Sequence, residues 1–146
     1  DTAVPQVDMG SARTTMKALG EAIRSGLTLA CHDLSEGGLA IAAAEMALAG
    51  LLGLRLELDS IPIAHIPATP PTEIEAIRLF SESPSRFLVE VAPGQRAAFE
   101  AHMQRSPVVY AEVGSVTDTG RFVILRNEET LIDLPVTALQ AAWKGE

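Results

Sequence analysis

Ala30-Cys31-His32-Asp33-Leu34-Ser35-Glu36-Gly37-Gly38-Leu39-Ala40 is the stretch on which the fold turns. The apolar run Leu27-Thr28-Leu29-Ala30 leads into it and predicts a brief buried strand. Leu39 to Ala49 (LAIAAAEMALA) follows and predicts a helix that is apolar on nearly every face. A polar, glycine-containing turn therefore joins a strand to a helix. The first amides of a helix have no intrahelical acceptor and carry the positive end of the macrodipole, so phosphate or carboxylate binds there readily. Gly37 and Gly38 let an anion approach the backbone, and the Ser35 hydroxyl can donate a further hydrogen bond. His32, Asp33 and Glu36 supply proton-transfer or metal-binding capacity at the same turn. The plainer reading is a helix capped by Ser35 or Asp33, with glycines relieving the turn and His32 a satisfied, partly buried side chain. Local pattern favours the cap and leaves the anion site open.

Composition narrows the classes. A chain of 146 residues is one domain, large enough to bury a core without disulfides. With 47% hydrophobic and 4% aromatic residues, it reads as a packed domain of mixed helix and strand. A formal net charge of -8 argues against a general nucleic-acid or anionic-membrane surface, both of which need accumulated Lys and Arg. Any phosphate must then be held locally. The single cysteine, Cys31, excludes an internal disulfide and a Cys-rich zinc site, and its apolar setting predicts a small core residue. No apolar run approaches the roughly 18 residues of a bilayer span, and no signal peptide is visible, so a cytoplasmic location is expected. The start at Asp1, without a methionine, suggests a segment excised from something longer.

Along the chain, residues 1–9 read as a linker and residues 10–144 as one folded domain. Met16, Leu19 and Ile23 fall at helical spacing within Ser11 to Ser25, and Gly26 ends that helix. After the Ala-rich helix, Leu54-Arg55-Leu56-Glu57-Leu58 alternates as a half-buried strand does. Ile61 to Pro71 holds four of the nine prolines and predicts an irregular loop, containing a His65 with no second ligand at a metal-binding spacing. Thr72 is the expected cap of a helix through Ile74, Ile77 and Leu79, which stops at a second polar turn, Phe80-Ser81-Glu82-Ser83-Pro84-Ser85-Arg86. Phe87 to Val91 predicts a strand. Pro93 then opens a helix to Gln104 with Ala97, Phe99, Ala101 and Met103 partly inward and His102 on an exposed face. Strand pieces are expected at Val108 to Tyr110, Glu112 to Val116 and Arg121 to Leu125, followed by a hairpin tip at Asn127 to Glu129 and a strand over Leu131 to Leu134. Pro135 starts a last helix whose Trp143 is expected to pack on the sheet. The order α-β-α-β-α-β-α-β-β-β-α predicts an α/β domain of α+β type, a mixed sheet covered by helices. Neither a GxGxxG fingerprint nor a Walker loop is present.

Three segments occur together in fixed order: His32 to Ala40 with Ala44-Glu45-Met46-Ala47, Leu79 to Phe87, and Glu112-Val113-Gly114-Ser115-Val116. The combination resembles the C-terminal domain of the phosphoribosylformylglycinamidine synthases, over roughly Val4 to Trp143. These belong to the wider superfamily of aminoimidazole ribonucleotide synthetase, selenophosphate synthetase, thiamine-monophosphate kinase and a hydrogenase-maturation protein. The resemblance implies that superfamily's C-terminal-domain fold, in three layers with partial ferredoxin-like character, packed beside an ATP-binding N-terminal domain. It implies an ATP-dependent ligase of purine biosynthesis that uses magnesium and glutamine-derived ammonia to convert formylglycinamide ribonucleotide to the amidine. The serine-containing turn looks like the second of that enzyme's two synthetase units. The form of the second turn looks like the small type, which takes ammonia from a separate glutaminase subunit and has a small accessory subunit. A domain of a sibling enzyme, or a non-catalytic domain that holds a nucleotide, are the alternatives.

Under the resemblance, the anion-site reading gains over the cap. Asp33, Ser35, Gly37 and Gly38 are then expected to face a phosphate of substrate or nucleotide, with Asp33 fixing the turn or reaching a magnesium-bound water. Ser83 and Arg86 are the expected ligand-facing residues of the second turn, since guanidinium presents a planar fork to phosphate oxygens. The same turn also reads as internal wiring, with Glu82 and Arg86 paired to lock it. His32 is a candidate catalytic group, although a histidine at a strand end is more often structural. Glu45, alone on an apolar helix, is expected to have a partner or to face the missing domain. The chain by itself is expected to be inactive.

Overall fold

The structure, a computed structural model, describes residues 6–63 and 71–146. The start of the expected linker and most of the proline-rich loop, with His65, lie outside the described residues.

Helix α1, Met9–Arg24, begins where the Asp8 carboxylate accepts from the amides of Gly10 and Ser11 at 2.9 and 3.1 Å. It ends as expected at Gly26, whose φ of 68° suits a residue without Cβ. Gly26 donates to the Ile23 carbonyl and Leu27 to the Ala22 carbonyl, both at 3.0 Å, which closes the last turn. The buried face of α1 is Ala12, Ala18, Leu19 and Ala22, while Met16 and Ile23 are exposed, contrary to the expected stripe. The buried face is thus mostly alanine with Leu19, and Met16 and Ile23 face outward.

Strand β1, Ala30–Asp33, starts three residues later than the apolar run predicts, because Leu27 is used in closing α1 and Leu29 is exposed. Cys31, expected in the core, is exposed on this strand. Helix α2, Gly38–Gly50, buries Leu39, Ala40, Ala42, Ala43 and Ala47. Strand β2 is Gly53–Glu57, followed by a short 3-10 turn over Leu58–Ser60. Helix α3, Pro71–Phe80, starts at Pro71 and not after a Thr72 cap. Proline's missing N–H and fixed φ suit a first helical position.

Strand β3, Phe87–Glu90, pairs antiparallel with β1, Ala30 opposite Glu90 and Asp33 opposite Phe87. Helix α4, Arg96–Met103, follows a 3-10 turn at Pro93–Gln95 and buries Met103 with Phe99 partly inward. Ala97 and Ala101 are exposed, against expectation. His102 is half-buried rather than exposed, with Nε2 donating to the Ala18 carbonyl of α1 at 2.8 Å. Val108 to Tyr110 forms no strand, since this segment pairs with no other and Val109 is open to solvent.

Strand β4 is Gly114–Thr117, β5 is Arg121–Arg126 and β6 is Glu129–Pro135. The last two meet at Asn127 and Glu128, both with positive φ as a tight hairpin turn requires. Helix α5, Val136–Lys144, packs through Val136 and Leu139. Trp143 is 73% exposed and does not pack on the sheet, because it lies beyond the contact made by Leu139.

The expected mixed sheet is four-stranded, in the order β4-β2-β5-β6, with β2 and β5 parallel and the other pairs antiparallel. Strands β1 and β3 stand apart from it as a two-stranded ribbon. One core joins α2 to the large sheet through Leu39, Leu54, Leu56, Leu58 and Ile124; a smaller one joins α1 and α4 over the ribbon through Leu19, Met103 and Phe87. Among the described residues, no helix is long and apolar enough to cross a membrane.

Candidate functional site

Antiparallel pairing of β1 and β3 brings the two polar turns side by side. One leaves β1 for α2, and the other enters β3 from α3. Register continues past the strands, since the Leu34 amide donates to the Arg86 carbonyl at 3.1 Å. Across the turns the Gly37 amide donates to Glu82 Oε1 at 2.8 Å, spanning 45 residues of sequence.

Gly37 and Gly38 have φ of 75° and 65°. A Cβ on Gly38 would lie 2.7 Å from the Phe80 carbonyl carbon and 2.8 Å from the Leu79 carbonyl oxygen. The second glycine thus lets the start of α2 rest on the end of α3, which backbone atoms would otherwise block. Gly37 is the N-cap, and no side chain caps α2, so the expected cap by Ser35 or Asp33 is absent. Ser35 and Asp33 are both exposed. Among the described residues, no side chain or loop carbonyl accepts from the amides of Gly38, Leu39 or Ala40. Three positively polarised donors therefore remain at the start of α2, on residues that are themselves buried.

His32 points the other way. Its Nε2 is 2.9 Å from Glu45 Oε2 on α2, and its Nδ1 is 2.6 Å from the Asp33 carbonyl. Both ring nitrogens are engaged with oxygen acceptors, which ties β1 to α2 and provides Glu45 with its expected partner. Cys31, next to it, has a thiol pushed up from its ordinary value by desolvation and by the Asp33 charge, which disfavours the reactive thiolate.

In the second turn, Glu82 and Arg86 do not pair with each other. Glu82 reaches Gly37, while Arg86 Nη1 donates to the Ser81 carbonyl at 3.1 Å. Burial pushes the Arg86 guanidinium down from its usual value. Ser83 Oγ lies 2.7 Å from Ser81 Oγ, a second bond internal to the loop. Beside the turns lies an open depression of about 480 Å³ lined by Ala76, Ile77, Phe80, Ser81 and Glu82. The third motif is structural: a Cβ on Gly114 would lie 2.0 Å from the Arg55 carbonyl oxygen, so glycine lets β4 close on β2.

Direct magnesium coordination by a cluster of side chains is not what these residues offer; a single carboxylate, Asp33, lies exposed on the turn where a magnesium-bound water could reach it. Among the described residues, no three His, Cys, Asp or Glu side chains gather as a metal site, and Asp33 is the turn's lone exposed aspartate. The reach of Glu82 across the turns was not foreseen either, because nothing in the sequence signals a contact between loops 45 residues apart.

The family model described as AIR synthase related protein, C-terminal domain, matches residues 1–127. The chain belongs to this family. Over 142 residues it is 35% identical to the phosphoribosylformylglycinamidine synthase subunit PurL of Synechocystis sp., covering 96% of this chain and 17% of that protein. The fold is similar to that of Thermotoga maritima PurL complexed with FGAR, with a TM-score of 0.78 and 24% identity over 95% of this chain and 23% of that one. Thermotoga maritima PurL complexed with ATP gives a TM-score of 0.72 and 25% identity, covering 87% of this chain and 21% of that one. The chain spans under one fifth of the curated relatives' length. As an AIR synthase-related C-terminal domain, it has the expected fold class, with a mixed sheet and five helices among the described residues.

Proposed function

We propose that this chain is the C-terminal domain of the second synthetase unit of a small-type phosphoribosylformylglycinamidine synthase. In that reaction formylglycinamide ribonucleotide, ATP and ammonia give the amidine, ADP and phosphate, the amide oxygen leaving as part of the phosphate. The observation that carries the reading is the pair of joined turns, which sets the exposed Ser35 beside the start of α2, where the amides of the buried Gly38, Leu39 and Ala40 have no acceptor among the described residues outside the helix.

These donors suit a phosphate group of the ribonucleotide or nucleotide, held by hydrogen bonds and the α2 dipole. Asp33 and Ser35 flank it on the open side, and Ser83 and Arg86 shape the neighbouring wall. Arg86 Nη1 holds the Ser81 carbonyl, and the rest of its guanidinium fork is available to a phosphate oxygen. Magnesium accompanies ATP, and Asp33 fixes the turn or reaches a magnesium-bound water. The activating half of the site belongs to the N-terminal ATP-binding domains, and ammonia comes from a glutaminase subunit assisted by a small accessory subunit. The location is the cytoplasm.

The test is formylglycinamide-ribonucleotide-dependent ADP release. A full-length protein carrying this domain releases ADP only when the ribonucleotide and ammonia are present, and the 146-residue chain alone releases none. A full-length protein whose ADP release ignores the ribonucleotide would refute the assignment.

A further inference from the structure

We infer that Glu82 is a positioning residue for the phosphate-facing turn, acting as a cap supplied in trans to a helix that has none of its own. The inference rests on the function proposed above.

Helix α2 has no side-chain cap, and its N-cap residue, Gly37, is a glycine in the left-handed region. Such a residue can turn its peptide planes at little cost, so something else must fix where the amides point. Among the described residues, the side-chain acceptor that reaches this position is Glu82 Oε1, 2.8 Å from the Gly37 amide. Glu82 itself is exposed, so core packing does not force its side chain across the gap. The backbone on either side of it, in contrast, is tied at Ser81 and at Arg86. Ser81 donates its amide to the Ile77 carbonyl at 3.0 Å and accepts from Arg86 Nη1 at 3.1 Å; Arg86 accepts from the Leu34 amide at 3.1 Å. The second turn is thus a bracket whose reaching arm is Glu82.

That arm orients the Glu36–Gly37 peptide and, with it, the Ser35 side and the first amides of α2. It uses the Gly37 amide and leaves those of Gly38, Leu39 and Ala40 for the ligand. The contact needs an acceptor oxygen at the end of a side chain of this length. Glu82→Gln retains that oxygen; Glu82→Ala does not.

Steady-state kinetics on the full-length protein test this. Glu82→Ala is expected to raise KM for the ribonucleotide about tenfold with kcat held within about twofold, and Glu82→Gln to recover most of the loss. A purely structural defect would instead lower kcat through a smaller folded fraction and leave KM in place. Hydrogen exchange of the segment Leu34 to Ala40, measured without ligand, gives a readout independent of turnover: it should quicken in Glu82→Ala and not in Glu82→Gln. Wild-type KM in Glu82→Ala, equal impairment of the two variants, or unchanged exchange would each overturn the inference. A wild-type protein that releases no ADP would overturn the proposed reaction, and the exchange measurement would still decide the role of Glu82.

Discussion

Replacing Gly38 by alanine should be among the most damaging single-methyl additions in this domain, and the structure says by how much. Gly38 has a φ of 65° and Gly26 a φ of 68°, so alanine meets the same backbone penalty at each. The surroundings differ. A Cβ at Gly26 has nothing within 4 Å, whereas one at Gly38 would lie 2.7, 2.8 and 2.9 Å from backbone atoms of Leu79 and Phe80. Backbone at a helix end cannot swing aside as a side-chain tip can. Gly26→Ala should therefore cost the left-handed penalty alone, about 1 kcal/mol. Gly38→Ala should cost that plus an overpacking of about 2 kcal/mol, a total of about 3 kcal/mol. For a chain of this length the larger figure lowers Tm by roughly 10 °C. Urea titration of both variants beside the wild type measures the difference directly. Equal destabilisation would refute the close approach of α2 to α3 and the argument built on it.

Three further outcomes follow from local geometry. The Asp8 carboxyl is held below its ordinary value of 3.8, first by the Ser11 amide, then by the Ser11 hydroxyl and the Gly10 amide. A lowered native pKa stabilises above the unfolded value and is lost as pH falls through the native one. The stability gap between wild type and Asp8→Ala should accordingly be full at neutral pH and shrink below about pH 4 in thermal melts. Glu128 has a φ of 67° next to Asn127 at 46°, so Glu128→Gly should create the favoured Asn-Gly hairpin turn and stabilise by about 0.5–1 kcal/mol in urea titration. His102→Ala removes the bond to the Ala18 carbonyl that ties α4 to α1 and should cost about 1 kcal/mol, with faster hydrogen exchange in α1.

Sequence was most legible where periodicity and turn chemistry act within a few residues. The Ala-rich α2, the Gly26 stop, the alternating strand around Leu56 and the Asn127 turn all follow from local preference, and their bounds lie within a few residues of expectation. Reading failed where tertiary partners decide. Met16 and Ile23 are apolar at helical spacing, yet the face that α4 needs is the one lined by alanines. Cys31 is apolar by composition and sits on a two-stranded ribbon, whose small size leaves it an open face. Trp143 lies past the contact that Leu139 makes and stands in solvent. At the site, the motif located both turns, and local pattern foresaw the glycines. Pairings among the charged residues were missed for one reason: Glu82 has Arg86 four residues away, but its bond is to an amide 45 residues back. Only the register of β1 against β3 makes those two atoms neighbours.

The central claim is that the turn from Asp33 to Gly38 holds a phosphate of the substrate in a composite site. Its most direct test is calorimetric binding of formylglycinamide ribonucleotide to the full-length protein, wild type against Ser35→Ala and Asp33→Ala. Loss of a hydrogen bond to a charged group predicts a Kd at least about tenfold weaker for Ser35→Ala, with Asp33→Ala also weakened and both proteins as stable as wild type. Unchanged affinity in both variants would contradict the claim and leave the turn as no more than the junction between β1 and α2.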